Sequence, residues 1–422
     1  MKILLVGNHT CGNRGDGAIL RGLIESIETI DPSIEINAIS RYPISSSYLL
    51  GREVKDDVLY HYHFKNKNGF KGRIIKALIN RCLPSLLASR INNSFWAKIF
   101  KVPKEFLDYI QNLKQYDAII QVGGSFFVDL YGNNQFEHAL CAIIAKKPVY
   151  MVGHSVGPFE RKSFNEIANL VFSKVNKLVL REEISKDLML KSGINTEKVI
   201  NGIDTAWLVN PDVKPSNYAV KHWSEVCSER ASIAITMREL SPFDKRLGVT
   251  QDDYEKAIAS LIDNLIDQGF NVLAVSTCTG IDSYHKDDRM IAIQVGSLLA
   301  NKDNYHVVME EFNDVELGSI LSQCQLTIGT RLHSAIISMN FGTPAVAINY
   351  EHKSAGIMKQ LGLPELSSDV ESLIDGTLIK KVNEIIDSIS EVNDKVREAI
   401  QKERAKGMSI IKGILKEVEG GN

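Results

Sequence analysis

Residues Ile328 to Tyr350 read IGTRLHSAIISMNFGTPAVAINY. An apolar run from Leu326 to Gly329 breaks into Thr330, Arg331 and His333. An apolar helical pattern follows at once, and a second aliphatic run begins after Gly342 and Pro344. Strand, turn, helix and strand in so short a span is the grammar of a parallel sheet covered by helices.

The same grammar recurs along the chain. KILLVG, AIIQVGG, PVYMVGHS, KLVLRE and KVING read as strands of the first half, with helical patterns such as Ala18 to Ile30 between them. SIAITMRE, NVLAVSTCTG, HVVMEEF, QLTIGTR and PAVAINY repeat the pattern in the second half. Around Pro211 and Pro215 the periodicity lapses. The expected fold is therefore α/β, with two doubly wound domains facing a cleft: an N-terminal one over 1–212, a C-terminal one over 218–378, and a charged helical tail over 379–422.

Composition narrows the class. The chain has 422 residues, 44% of them hydrophobic, and Lys+Arg at 49 nearly balances Asp+Glu at 51. No polyanionic partner such as nucleic acid is implied, and any basic site must be local. The six cysteines show no paired spacing, which disfavours a zinc site or a disulfide framework and fits a reducing compartment. MKILLVGNHT reads as a first strand and no later run reaches membrane-spanning length, so the expectation is a cytoplasmic protein. One segment departs from the balance: from His61 to Lys104 there are ten Lys/Arg and no Asp or Glu, interleaved with Phe64, Phe70, Leu83, Leu87, Phe95, Trp96 and Phe100. Such an insert suits an anionic membrane surface, or it is a solvated helical insertion with a basic face.

The polar residues that could carry chemistry fall at strand ends. GNHTCGNRGDGAILRG is a glycine-rich loop entering a helix, yet Gly12, Gly15 and Gly17 fit neither the dinucleotide fingerprint nor the P-loop. Within it Asn13 is a substrate-binding candidate, and Asp16 either caps the helix or serves as a base. Gly123 and Gly124, with Asp129 after them, allow close backbone approach to a ligand or to another segment. His154 in GHSVGPF is a lone histidine, a class more often structural than catalytic. Arg181 and Arg238 each end an apolar strand with a planar fork suited to carboxylate or phosphate, the alternative being a salt bridge. Arg331 and His333 open a helix, where the dipole and unsatisfied amides favour an anion and an imidazole can exchange a proton with it. Tyr350, Glu351, His352 and Lys353 end the following strand, and the cluster argues for an anionic substrate.

Taken in order, NHTCGNRGDGAILRG, VGGSFFVDLYG, GHSVGPF, LREE, DTAWLV and TRLHSAI with GTPAVAINYEHKSAGIM resemble the polysaccharide pyruvyl transferases, most closely the colanic acid branch. The resemblance implies a GT-B-like pair of Rossmann domains that moves a pyruvyl group from phosphoenolpyruvate onto two hydroxyls of a sugar. The acceptor it implies is a galactoside of a lipid-linked oligosaccharide at the inner face of the cytoplasmic membrane. The family's Arg-Leu-His motif falls on Arg331, Leu332 and His333, and its other important arginine on Arg238. His333 is then the expected acid, with Asp16 or Asp129 as base toward the sugar. No metal and no cofactor beyond phosphoenolpyruvate is expected. Two other readings use the same residues differently: a sugar-nucleotide glycosyltransferase of the same fold, and a non-catalytic exopolysaccharide assembly protein.

Overall fold

The computed structural model describes residues 1–64, 70–95, 99–241, 244–282, 286–349 and 352–421; for 64, 70–80 and 352–354 it describes the backbone alone. Among the described residues thirteen strands form two wholly parallel sheets. In the first, β1 (Lys2–Asn8), β2 (Glu35–Ser40), β3 (Lys55–Asp56), β4 (Ala118–Phe127), β5 (Val149–Val156), β6 (Lys177–Leu180) and β7 (Val199–Asn201) lie in the order β3-β2-β1-β4-β5-β6-β7. In the second, β8 (Ser232–Thr236), β9 (Asn271–Ala274), β10 (Tyr305–Val307), β11 (Leu326–Gly329), β12 (Ala345–Asn349) and β13 (Ser367–Asp369) lie in the order β10-β9-β8-β11-β12-β13. Both orders are doubly wound, and each reverses once, between β1 and β4 and between β8 and β11.

Burial explains why these runs become strands. Ile3, Leu4, Leu5 and Val6 are all buried, as are Ile233, Ala234 and Ile235. Strands covered by helices on both faces have no solvent side, so they read as continuous aliphatic runs instead of alternating ones. Three strands escaped the sequence reading. β2 is EINAIS, interrupted by Glu35 and Asn37; β3 has two residues; β13 is the wholly polar SSD. Their pairing to longer neighbours makes them strands, overriding local composition.

The chain divides into two compact units, and the division differs from the expected 1–212, 218–378 and 379–422. Unit 1 is Met1–Thr10, Leu23–Thr205 and Lys406–Asn422; unit 2 is Cys11–Gly22 and Ala206–Ala405. The glycine-rich loop and the start of its helix thus belong with the second sheet. The tail is also shared out. Val396 and Ile400 of the helix Ile389–Gly420 fall within unit 2, whereas Ile411, Ile414, Leu415 and Val418, all buried, fall within unit 1. Each such side chain taken out of water contributes roughly 1.5–3 kcal/mol.

The basic insert is partly spent on packing. Leu83 and Leu87, on the helix Phe70–Ile91, are buried in the core of unit 1, whereas Phe95, Ile99 and Phe100 are exposed. Trp96 lies outside the described residues. Among the described residues no helix is long and apolar enough to cross a membrane. Five of the six cysteines are buried free thiols and Cys82 is exposed.

Candidate active site

Within unit 2 the reversal between β8 and β11 opens the crevice where doubly wound sheets hold ligands. The two strands run close there, because a Cβ on Gly329 would fall 2.7 Å from Ser334 Oγ and closer still to Thr236 Oγ1. Thr236 and Ser334 share a hydroxyl hydrogen bond of 2.7 Å. Arg238 follows β8 and Arg331 follows β11, so the two arginines flank the reversal. Buried Tyr254 braces them: its hydroxyl meets Thr330 Oγ1 at 2.6 Å and accepts from the Arg238 amide at 3.4 Å. Burial pushes that phenol up to about 12, so it stays protonated.

Arg331 is the N-cap of the helix Leu332–Asn340 and supplies no side-chain acceptor to it. Its guanidinium turns instead to Asp288, with Nε 2.9 Å from Oδ2 and Nη2 2.6 Å from Oδ1. In this bidentate pair one of the two expected anion receptors already holds a carboxylate. Asp288 is 1% exposed, and burial raises its carboxyl above the usual range while the charges of Arg331 and then Arg238 work the other way. Its backbone amide donates to Cys278 O at 3.0 Å. Sequence reasoning missed Asp288, which sits in the charged run HKDDR; the one available signal was an acidic residue opening a helix, Asp288–Leu298.

The glycine-rich loop completes this group. Asn13 caps its helix, with Gly15 N donating to Oδ1 at 3.0 Å, and it bridges the backbone of Cys278. Arg14, 1% exposed, donates to Thr279 Oγ1 at 3.1 Å, to the carbonyls of Gly12 and Phe312, and pairs with Glu311. Burial lowers its guanidinium to about 10, still charged at neutral pH. The loop is therefore anchored by a buried arginine; no phosphate is needed to order it. His333 lies against Gly15: a Cβ there would sit 2.5 Å from the ring's Cγ and Nδ1. Asp16, the next residue, is 8% exposed. Its charge, with those of Arg331, Asp288 and Arg14, acts on the Cys278 thiol, which burial pushes up to about 12. Arg331, His333, Asp16, Asn13 and Arg238 are thus residues of one unit gathered at one strand reversal.

The other candidates have structural employment in unit 1. Arg181 is 3% exposed and reaches Ser155 Oγ at 2.8 Å, Ser125 Oγ at 2.7 Å and Asp204 Oδ2 at 2.5 Å. Each of its three guanidinium nitrogens thus has a partner within unit 1, a structural role the substrate assignment did not foresee; Glu182, its sequence neighbour, caps a helix instead. Asp129 accepts the amides of Glu160 and Arg161 through Oδ2 at 2.5 and 2.9 Å, which clamps a loop, while its buried Oδ1 has no hydrogen-bond partner. Gly123 leaves space for a neighbouring strand, since a Cβ would sit 2.5 Å from Gly153 O, and Gly124 has φ +143° against the Phe126 ring. His154 is wholly buried, and desolvation lowers its imidazole to about 3, so it is a neutral core histidine. Glu351 lies outside the described residues, as do Tyr350 and the side chains of His352 and Lys353.

Comparison with known proteins bears on this arrangement. The family model described as polysaccharide pyruvyl transferase matches residues 13–352. The chain is 56% identical over 419 residues to the amylovoran biosynthesis protein AmsJ of Erwinia amylovora, covering 99% of this chain and 100% of that one. Among solved structures it is similar to the UDP-GlcNAc 2-epimerase of Neisseria meningitidis bound to UDP-GlcNAc (TM-score 0.60, 12% identity, 100% of both chains). It is also similar to Anabaena HepE in complex with UDP-glucose (TM-score 0.58, 14% identity, 100% of both chains). At such identities the two structures speak for the two-sheet fold alone.

Proposed function

Since the chain belongs to the polysaccharide pyruvyl transferase family, we propose that it transfers the pyruvyl group of phosphoenolpyruvate to two hydroxyls of a sugar in an exopolysaccharide repeat unit, leaving a cyclic ketal and inorganic phosphate. The observation that carries the reading is the placement of Arg331 and His333 at the start of the helix Leu332–Asn340, with Arg238 across the strand reversal.

Phosphoenolpyruvate brings a carboxylate and a phosphate. Arg238, the oriented Arg331 fork and the amides of an N-terminal helical turn are receptors of the matching charge. His333 as imidazolium gives its proton to C3 of the enol, and C2 takes oxocarbenium character. A sugar hydroxyl adds to C2, its proton passing to Asp16. The C2–O bond to phosphate then breaks and the second hydroxyl adds in its place, with its proton leaving alongside the phosphate. The atoms balance without a redox step, a metal or a further cofactor. Asp288 keeps the Arg331 guanidinium in one plane, which fixes where the departing anion is met.

The acceptor in this reading is a galactoside of a lipid-linked unit, as in the colanic acid branch. The exposed Phe95, Ile99 and Phe100 beside Lys101 support peripheral docking on an anionic membrane. The test mixes protein, phosphoenolpyruvate and a panel of glycosides, and follows phosphate release and product mass. His333→Ala should lose roughly a hundredfold or more in rate, the scale of one general acid. Turnover with a nucleotide sugar and none with phosphoenolpyruvate would refute the proposal.

A further inference from the structure

Unit 1 carries a cavity of about 350 Å³ that the chemistry above does not use. It sits at that unit's own strand reversal: Gly7 of β1 and Gln121 of β4 line it, with Arg41 just beyond β2. Its volume falls within the range of small-molecule sites, roughly 300–1,000 Å³. Two lining side chains are buried and incompletely satisfied. Gln121 is 5% exposed and Glu137 2%, and the Oε1 of each has no hydrogen-bond partner.

The other titratable lining groups are engaged, Arg41 through one of its guanidinium N–H groups. Glu137 Oε2 holds His63 Nε2 at 2.7 Å. His138 is fixed between Asp57 Oδ2 at 3.0 Å and the Tyr109 hydroxyl at 2.9 Å. Arg41 donates to Gln135 Oε1 at 2.7 Å and lies over the Tyr60 ring, 5.1 Å from its centroid. Two unsatisfied acceptors in a built pocket call for a ligand that brings O–H donors, because buried acceptors are costly to leave unpaired. A second anion would meet the carboxylates of Glu137 and Asp57, while a purely apolar ligand would leave both oxygens orphaned. A polyhydroxylated ring satisfies them, and Tyr60 and Tyr131 add aromatic lining beside it.

We infer that this cavity is a subsite for a neutral pyranose of the acceptor saccharide. The word acceptor rests on the pyruvyl-transfer reading; the affinity for a sugar does not. The experiment titrates the full chain, without phosphoenolpyruvate, with methyl β-D-galactopyranoside, methyl β-D-glucopyranoside and methyl β-D-glucuronide, and follows binding by ligand-observed NMR. At least one neutral glycoside should bind and the anionic glucuronide should bind worse. Gln121→Leu and Glu137→Gln should each weaken the neutral sugar about tenfold or more while phosphoenolpyruvate binding stays at the wild-type level. Gln121→Leu removes an unsatisfied buried oxygen, so its melting temperature should hold, which a merely structural glutamine would not allow. Absence of neutral glycoside binding, affinity unchanged in both variants, or preference for the glucuronide would overturn the inference. Sugar binding with these sensitivities but no ketal product from phosphoenolpyruvate would leave the subsite standing and remove the transferase reading.

Discussion

Replacing Gly15 by alanine puts the position of His333 to a direct test. The new Cβ would stand 2.5 Å from Cγ and Nδ1 of the imidazole and 2.7 Å from its Cβ, whereas non-bonded carbons settle near 3.5 Å. Something must yield by roughly 1 Å, and because rotation about the side-chain bonds cannot move the His333 Cβ, the start of its helix shifts along with the ring. The stability terms oppose each other: alanine gains about 1 kcal/mol of helix propensity and overpacking costs about 1–3 kcal/mol, a net cost of about 0–2 kcal/mol. The protein should therefore stay folded while its acid is misplaced, and a 1 Å misplacement costs about a hundredfold in rate, or roughly 2.7 kcal/mol of barrier. Gly17→Ala is the internal control, since its Cβ would meet nothing nearer than Cys11 Cβ at 3.4 Å. Initial rates of phosphate release should show Gly15→Ala about a hundredfold slower and Gly17→Ala near wild type, with both melting within a few degrees of the parent. Wild-type turnover by folded Gly15→Ala would refute the view that His333 works where it lies against the loop.

Arg181→Ala should lower stability by about 3–5 kcal/mol, the cost of leaving Asp204 buried without its partner, and leave the KM for phosphoenolpyruvate unchanged. A raised KM with an unaltered melting temperature would return Arg181 to the ligand. His154 should make the protein acid-sensitive. Its folded value near 3 lies below the unfolded value of about 6.5, so the unfolded chain binds the extra proton as pH falls. The stability is complete above the unfolded value and is lost at up to about 1.4 kcal/mol per pH unit on the way down, some 2 kcal/mol by pH 5. Denaturant melts at pH 7.5 and 5 should show this loss in the wild type and a flatter dependence in His154→Asn; equal slopes would rule the attribution out.

How much of this was legible in the sequence depended on distance along the chain. IGTRLHS betrays a strand end and a helix start because all the interactions that make them are local, and the same holds for SIAITMRE. Arg181, Arg238 and Arg331 look alike in their sequence contexts, each closing an apolar run. What separates them is Asp204, 23 residues beyond Arg181, and Asp288, 43 residues before Arg331. No periodicity encodes those pairings. Arg14 was overlooked for a related reason: a cation among glycines reads as a ligand contact or as solvated, and only the carbonyls of Gly12 and Phe312 and the carboxylate of Glu311 turn it into an anchor. β13 was silent because Ser367, Ser368 and Asp369 have no strand propensity of their own and owe their conformation to β12.

The interleaving of segments between the two units sets an order of events at the ribosome. Domains usually fold as they emerge, N-terminal first. Here β1 through β7 leave the exit tunnel early, yet the surface that Ile411, Ile414, Leu415 and Val418 cover has to wait for nearly the whole chain to be made. Residues 11–22, by contrast, are synthesised long before the β8–β13 sheet whose unit they join. Neither half of the chain is thus a self-sufficient fragment. Nascent molecules halted between the two sheets should expose apolar surface that holding chaperones recognise.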